Sequence, residues 1–138
     1  STLGACRVFD VYINDELDEI NGSVEGTRTL VWDVTDLDDP ILVREHFGTT
    51  ASSDHNLYVK GDRMYQSNYV SGLRVLDISD PENPVEVGYF DTVSAGENEP
   101  GFDGSWSNYP YFESGVIVVT SMKEGLFVLK RREGRPVS

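Results

Sequence analysis

The feature that most constrains this chain is a segment that occurs twice. Residues 30–44 (LVWDVTDLDDPILVR) align without gaps on residues 74–88 (RVLDISDPENPVEVG), 44 positions further on. Val31 meets Val75, Trp32 meets Leu76, Asp33 meets Asp77, Val34 meets Ile78, Pro40 meets Pro84 and Val43 meets Val87. A shorter third copy follows, in which residues 125–129 (GLFVL) match residues 72–76 (GLRVL). A unit repeated with this period cannot bury its apolar face alone and must stack on its neighbours, and 44 residues is the length of a four-stranded propeller blade. The sequence therefore predicts an all-β protein built from antiparallel β-propeller blades, and an incomplete propeller segment.

The middle copy shows how one unit is laid out. Residues 55–59, 63–68, 73–79 and 85–90 make four strands, a to d. Lys60-Gly61-Asp62 forms a tight turn between a and b, and Asp80-Pro81-Glu82-Asn83-Pro84 turns c into d. Proline supplies a fixed φ and Asx side chains cap their own backbone in such turns. No segment has helical periodicity. Residues 116–120 are apolar in succession, the pattern of a strand covered on both faces. The chain divides into an unassigned lead-in (1–10), a partial blade with an inserted acidic loop (11–47), a full blade (54–90), a last blade lacking its outer strand (103–130) and a basic tail (131–138). The first unit lacks a strand a and the third lacks a strand d. Both ends of the stack are therefore expected to meet further β-structure, from upstream sequence, another chain or self-association, through strands near Val31, residues 116–119 and Phe127.

Charge narrows the partners. Eleven Lys and Arg face 24 Asp and Glu, for a net charge of −13, and four of the cations (Lys130, Arg131, Arg132, Arg135) lie near the C-terminal end. Such a field repels nucleic acid and anionic membranes. No apolar run approaches the roughly 20 residues of a spanning helix. Cys6 is the only cysteine, so no internal disulfide can form.

The segment VLDISDPENPVEVGYF (75–90) resembles the LVIVD repeat. DELDE (15–19), DHNLYVKGD (54–62) and GFDGSWSNYP (101–110) are similar to the C-terminal part of the choice-of-anchor B family, a likeness covering residues 11–130. The resemblance implies a bacterial, exported β-propeller at the cell surface or outside the cell, with the periplasm as the other compartment it allows. It leads to the expectation of a module for binding, adhesion or scaffolding rather than catalysis.

Alternating strand direction puts the b–c and d–a loops on one rim. These loops are long and unlike one another, as binding loops on a rigid scaffold are. Expected on this rim are His55, Asn68, Tyr69, Asp103 and Trp106 as a binding surface. Asp15, Glu16, Asp18, Glu19 and Asp54 are expected there as oxygen ligands for Ca²⁺, the one cofactor the composition points to. If the rim is catalytic, Asp54, His55 and Asp103 would form a hydrolase or lyase site at the channel mouth, with His55 as general base. No nucleophile elbow, zinc-protease helix, phosphate loop or dinucleotide fingerprint is present. Asp33 and Asp77, the most regular acidic residues, are expected to cap turns. Trp106, Tyr109, Tyr111 and Phe112 are expected to fill the space between blades rather than to form a carbohydrate platform.

Overall fold

A computed structural model describes residues 10–93 and 99–132. The lead-in up to residue 9, the centre of the long loop before the last unit and the end of the basic tail lie outside them. Ten strands are present among the described residues: β1 (Asp10–Asn14), β2 (Arg28–Asp33), β3 (Ile41–Phe47), β4 (Asn56–Lys60), β5 (Arg63–Ser67), β6 (Leu73–Asp77), β7 (Val85–Phe90), β8 (Ser105–Tyr109), β9 (Val116–Ser121) and β10 (Gly125–Lys130). They form three antiparallel sheets, ordered β1-β2-β3, β4-β5-β6-β7 and β8-β9-β10. No helix of the described residues is long and apolar enough to cross a membrane.

The 44-residue offset is visible in backbone detail. The β2–β3 ladder slips between Val31 and Trp32, and the β6–β7 ladder slips between Val75 and Leu76. The extra residues are Val43 and Val87, which occupy equivalent positions in the two copies. A bulge adds twist and bends its strand, so the same bend recurs in both sheets. The turns repeat as well. Asp33 Oδ1 accepts the Thr35 N–H and Asp77 Oδ1 accepts the Ser79 N–H, each at 2.8 Å. These are the turn caps expected of the two aspartates, and the bonds hold both carboxyls below the usual carboxylate pKa.

The sheets stack face to face with the four-stranded sheet in the middle. Alternation along each strand sends odd and even residues to opposite faces. Met64, Leu76 and Ile78 of the middle sheet pack with Leu57 and with Tyr12 of the first sheet. Tyr65, Leu73 and Val75 pack on Ile117 and Val119 of the third, with Val87, Phe90, Phe127 and Leu129 around them. Val31, Val119 and Phe127 therefore face the middle sheet, and Val31 and Val119 are fully buried there. These three side chains point inward, so the outward-facing positions of the same strands are their sequence neighbours. Reading the register outward from these buried positions, the outer face of the first sheet carries Val11, Ile13, Leu30, Trp32 and Leu42. That of the third carries Tyr109, Val118, Leu126 and Val128. Val116 and Val118 are half-buried where Ile117 and Val119 are buried, so the described residues fully cover β9 on one face only.

Candidate functional site

Four connections meet at one rim of the stack: residues 15–27, 48–55, 68–72 and the described parts of 91–104. The first is a coil of short turns. Asp15 O accepts the Asp18 N–H at 3.1 Å, Leu17 O accepts the Asn21 N–H at 2.9 Å and Asp18 O accepts the Ser23 N–H at 2.9 Å. This winding points successive acidic residues in different directions. Asp15 Oδ1 caps the Leu17 N–H at 3.1 Å. Glu16 accepts the Tyr69 hydroxyl at 2.7 Å. Asp18 is held by the Arg28 guanidinium, which also reaches Glu45 at 3.1 Å. Glu19 turns inward and is only 4% exposed. The five carboxylates expected to surround one cation are thus divided. No group of three or more His, Cys, Asp or Glu side chains among the described residues is arranged to hold a metal.

Asp54 meets Glu19 inside. It is 1% exposed, and none of the four carboxyl oxygens of Glu19 and Asp54 makes a hydrogen bond. Burial, then the neighbouring Glu19 charge, pushes the Asp54 carboxyl up to about 8, with Asp18 and Asp15 adding to the rise. Burial raises Glu19 as well. The Arg28 backbone N–H faces both carboxyls and lowers each pKa, although no oxygen reaches hydrogen-bond geometry with it. Beside the pair runs a buried amide chain. Gln66 Nε2 donates to Thr29 Oγ1 at 2.7 Å, and Asn68 Nδ2 donates to Gln66 Oε1 at 3.3 Å. The Asn68 amide oxygen is left without a partner. The buried cation Arg74 makes the contrast plain. It donates to Ser71 O at 2.9 Å, pairs with Glu86 at 3.2 Å and Asp91 at 3.4 Å, and lies over the Tyr89 ring.

Across the middle sheet the rim is aromatic. The β8–β9 ladder slips between Ser105 and Ser107, leaving Trp106 as the bulged residue. Its ring stacks on His55 with centroids 4.0 Å apart, and the His55 Nδ1 bonds to the Trp106 carbonyl. Tyr69 meets His55 and Phe102 edge-on at 5.4 and 5.5 Å. Tyr69 is the only non-glycine described residue with positive φ, at 44°. It is bridged to Ser105 by two backbone hydrogen bonds of 2.7 and 3.1 Å. Gly104 (φ 93°) makes that approach possible, because a Cβ there would lie 2.2 Å from the Tyr69 carbonyl oxygen.

Several expectations change. Asp54, His55 and Asp103 do not form a constellation: Asp54 faces Glu19, His55 faces Trp106, and Asp103 pairs with Lys123 at 2.8 Å on the surface. Successive residues of an extended segment point to opposite faces, which separates Asp54 from His55. Asn68 and Tyr69 are buried and present no side chain to a partner, whereas Trp106 and Asp103 are exposed. Tyr109, Tyr111 and Phe112 cluster at centroid distances of 4.9 to 5.5 Å and remain exposed; Tyr111 reaches the middle sheet through the Val59 carbonyl, whereas Tyr109 lies on the outer face of the third sheet. At the opposite rim an open groove is lined by Asp77, Ser79, Asp80, Asn83, Val85 and Val87.

Fold and rim together define the class: stacked four- and three-stranded antiparallel sheets with one loop-rich rim. No protein-family model, curated protein or solved structure matches the chain.

Proposed function

We propose that this chain is a segment of a β-propeller of the LVIVD-repeat, choice-of-anchor B kind, exported to the cell surface, where its loop-rich rim serves binding, adhesion or scaffolding. The observation that carries the propeller reading is the apolar character of both outer faces of the stack. Val11 and Ile13 are 41% and 46% exposed at one end, and Leu126 and Val128 are 63% and 66% exposed at the other. Contiguous apolar faces of this kind call for another sheet against them. The recurrence of the bulge and the turn caps at a fixed offset supports the same reading. The partners are then further blades, from elsewhere in the same polypeptide or from other copies.

A binding role is favoured over a hydrolase or lyase because His55 and Asp103 are engaged elsewhere and Asp54 is buried beside Glu19 rather than beside them. Sedimentation velocity tests the architecture. The 138-residue chain should self-associate, and Leu126→Glu with Val128→Glu should weaken that association. A monomer at all concentrations, unaffected by these changes, would overturn the propeller reading. A substrate screen tests the role. Turnover abolished by His55→Ala in a folded protein would replace binding with catalysis.

A further inference from the structure

We propose that Glu19 and Asp54, with the amide oxygen of Asn68, form a binding site for a hard divalent cation, of which Ca²⁺ fits the donors best. The site lies between the first and middle sheets beneath the rim, and its existence does not depend on what the rim binds. The argument starts from unmet valence. Five side-chain oxygens (Glu19 Oε1 and Oε2, Asp54 Oδ1 and Oδ2, Asn68 Oδ1) are buried without a hydrogen-bond partner. All three residues are more than nine-tenths buried. A buried polar atom left unpaired costs about 1–3 kcal/mol, and a charged one costs more.

Their grouping follows from the hydrogen bonds around them. The His55 N–H donates to Ser67 O at 3.0 Å, which sets the Asp54 segment beside Asn68. The Asn68–Gln66–Thr29 chain then leads to the residue next to Arg28, whose backbone N–H both carboxyls face. That chain also fixes the Asn68 amide. Thr29 Oγ1 takes the Gln66 NH₂, so Gln66 presents its oxygen to the Asn68 NH₂, and the Asn68 oxygen is turned away from Gln66.

Among the described residues, no positive charge acts on the pair. Arg28, whose backbone N–H the carboxyls face, commits its guanidinium to Asp18 and Glu45, and the other charges acting on the two carboxyls are those of Asp15 and Asp18, which are negative. An all-oxygen donor set with two carboxylates and a carboxamide suits Ca²⁺, which takes six to eight oxygens, with water or backbone carbonyls completing the shell. Zinc and copper prefer nitrogen or sulfur donors, and the only nearby imidazole, His55, is occupied with Trp106. The site is narrower than the five-carboxylate set suggested by the sequence. It drops Asp15, Glu16 and Asp18 and gains Asn68.

The test uses the full 138-residue chain, stripped with chelator and checked by circular dichroism. Thermal unfolding and titration calorimetry are then run with CaCl₂, MgCl₂ and NaCl at pH 7.5. Saturating Ca²⁺ should raise the melting temperature of the wild type by at least about 5 °C, as ligand bound only to the folded state does. Mg²⁺ should act more weakly, since it demands a tighter octahedral shell. The isosteric variant Glu19→Gln/Asp54→Asn should fold and lose the response, and Asn68→Ala should weaken Ca²⁺ affinity by at least about tenfold. Asp36→Asn/Asp38→Asn, on the opposite rim, should respond like wild type. Neither heat nor a melting shift in wild type at 10-fold millimolar excess would overturn the proposal. An equal shift in the Glu19→Gln/Asp54→Asn variant would overturn it too, by placing the binding on the general acidic surface.

Discussion

Between the middle and third sheets the contact is made by Tyr65, Leu73, Val75, Ile117 and Val119, with Phe90 and Phe127 closing one side. Between the first and middle sheets the apolar cluster is smaller, Met64, Leu76 and Ile78 with Tyr12 and Leu57, and the rest of the seam is polar. There Thr29, Gln66, Asn68, Glu19 and Asp54 are buried, and two of them carry carboxyls with no partner. Apolar burial contributes roughly 25 cal/mol per Å² and is nearly indifferent to pH and ions. A buried carboxyl pair contributes only when something neutralises it. The seam between the middle and third sheets is therefore unconditional, and the seam between the first and middle sheets depends on solution conditions. Stability measurements can break or sharpen that distinction.

The largest effect is expected at Gly104, which joins the middle and third sheets at the rim. Gly104→Ala forces a Cβ into the Tyr69 carbonyl at a φ that side chains avoid. Either the Tyr69–Ser105 bridge opens or the backbone shifts, with a loss of about 3 kcal/mol or more in chemical denaturation. A variant as stable as wild type would show that the bridge does not hold the seam.

Truncation inside each seam comes next. Ile117→Ala and Met64→Ala should each cost about 2–5 kcal/mol. Both residues are buried, and the two losses should be alike at pH 5. The comparison sharpens at pH 8 in chelator, where the Met64 seam is already weakened by its carboxyls. The Ile117→Ala loss should stay constant between the two pH values.

Asp54 gives the pH arm its sign. Its folded pKa, about 8, lies above the ordinary aspartate value of 3.8. Between these values the folded state keeps a proton that the unfolded state has released. In chelator, stability should therefore be fully present below about pH 4, fall as pH rises and level off above about pH 8. Asp54→Asn should reduce the slope to what the raised Glu19 carboxyl contributes, and should stabilise the chelated protein at pH 8 by an amount on the order of 2–3 kcal/mol. A flat wild-type profile across this window would mean the pair is not buried as described.

What the sequence revealed and what it hid divide along the same line. Strand limits, the turn aspartates and the order of the units follow from the repeat, because alternation, Asx caps and proline turns are local chemistry. The 44-residue offset also equates Val43 with Val87, but only the ladders show that these are the bulged residues. The loop site was not legible. A run such as DELDE reads as a solvated acidic surface, and nothing in it says that Glu19 alone turns inward while Asp18 pairs with Arg28. The positive φ of Tyr69 was equally hidden, since tyrosine gives no signal for it. The glycine at 104 was the available clue, because a glycine before a strand marks close backbone approach.

The smallest effect tests whether the two seams differ at their opposite edge as well. A tyrosine hydroxyl crosses each seam to a backbone carbonyl: Tyr12 to Pro81 O at 2.9 Å, and Tyr111 to Val59 O at 2.8 Å. The lengths match, but Tyr12 is half-buried with its hydroxyl pKa raised to about 12 by burial, whereas Tyr111 is exposed. Removing an exposed hydroxyl lets water take its place at the carbonyl, so Tyr111→Phe should leave stability nearly unchanged. In Tyr12→Phe the Pro81 carbonyl loses a partner that water replaces less easily, and the loss should be about 1 kcal/mol. Equal losses in the two variants would mean that the seams are alike at this edge and differ only beneath the rim, where the unpaired carboxyls lie.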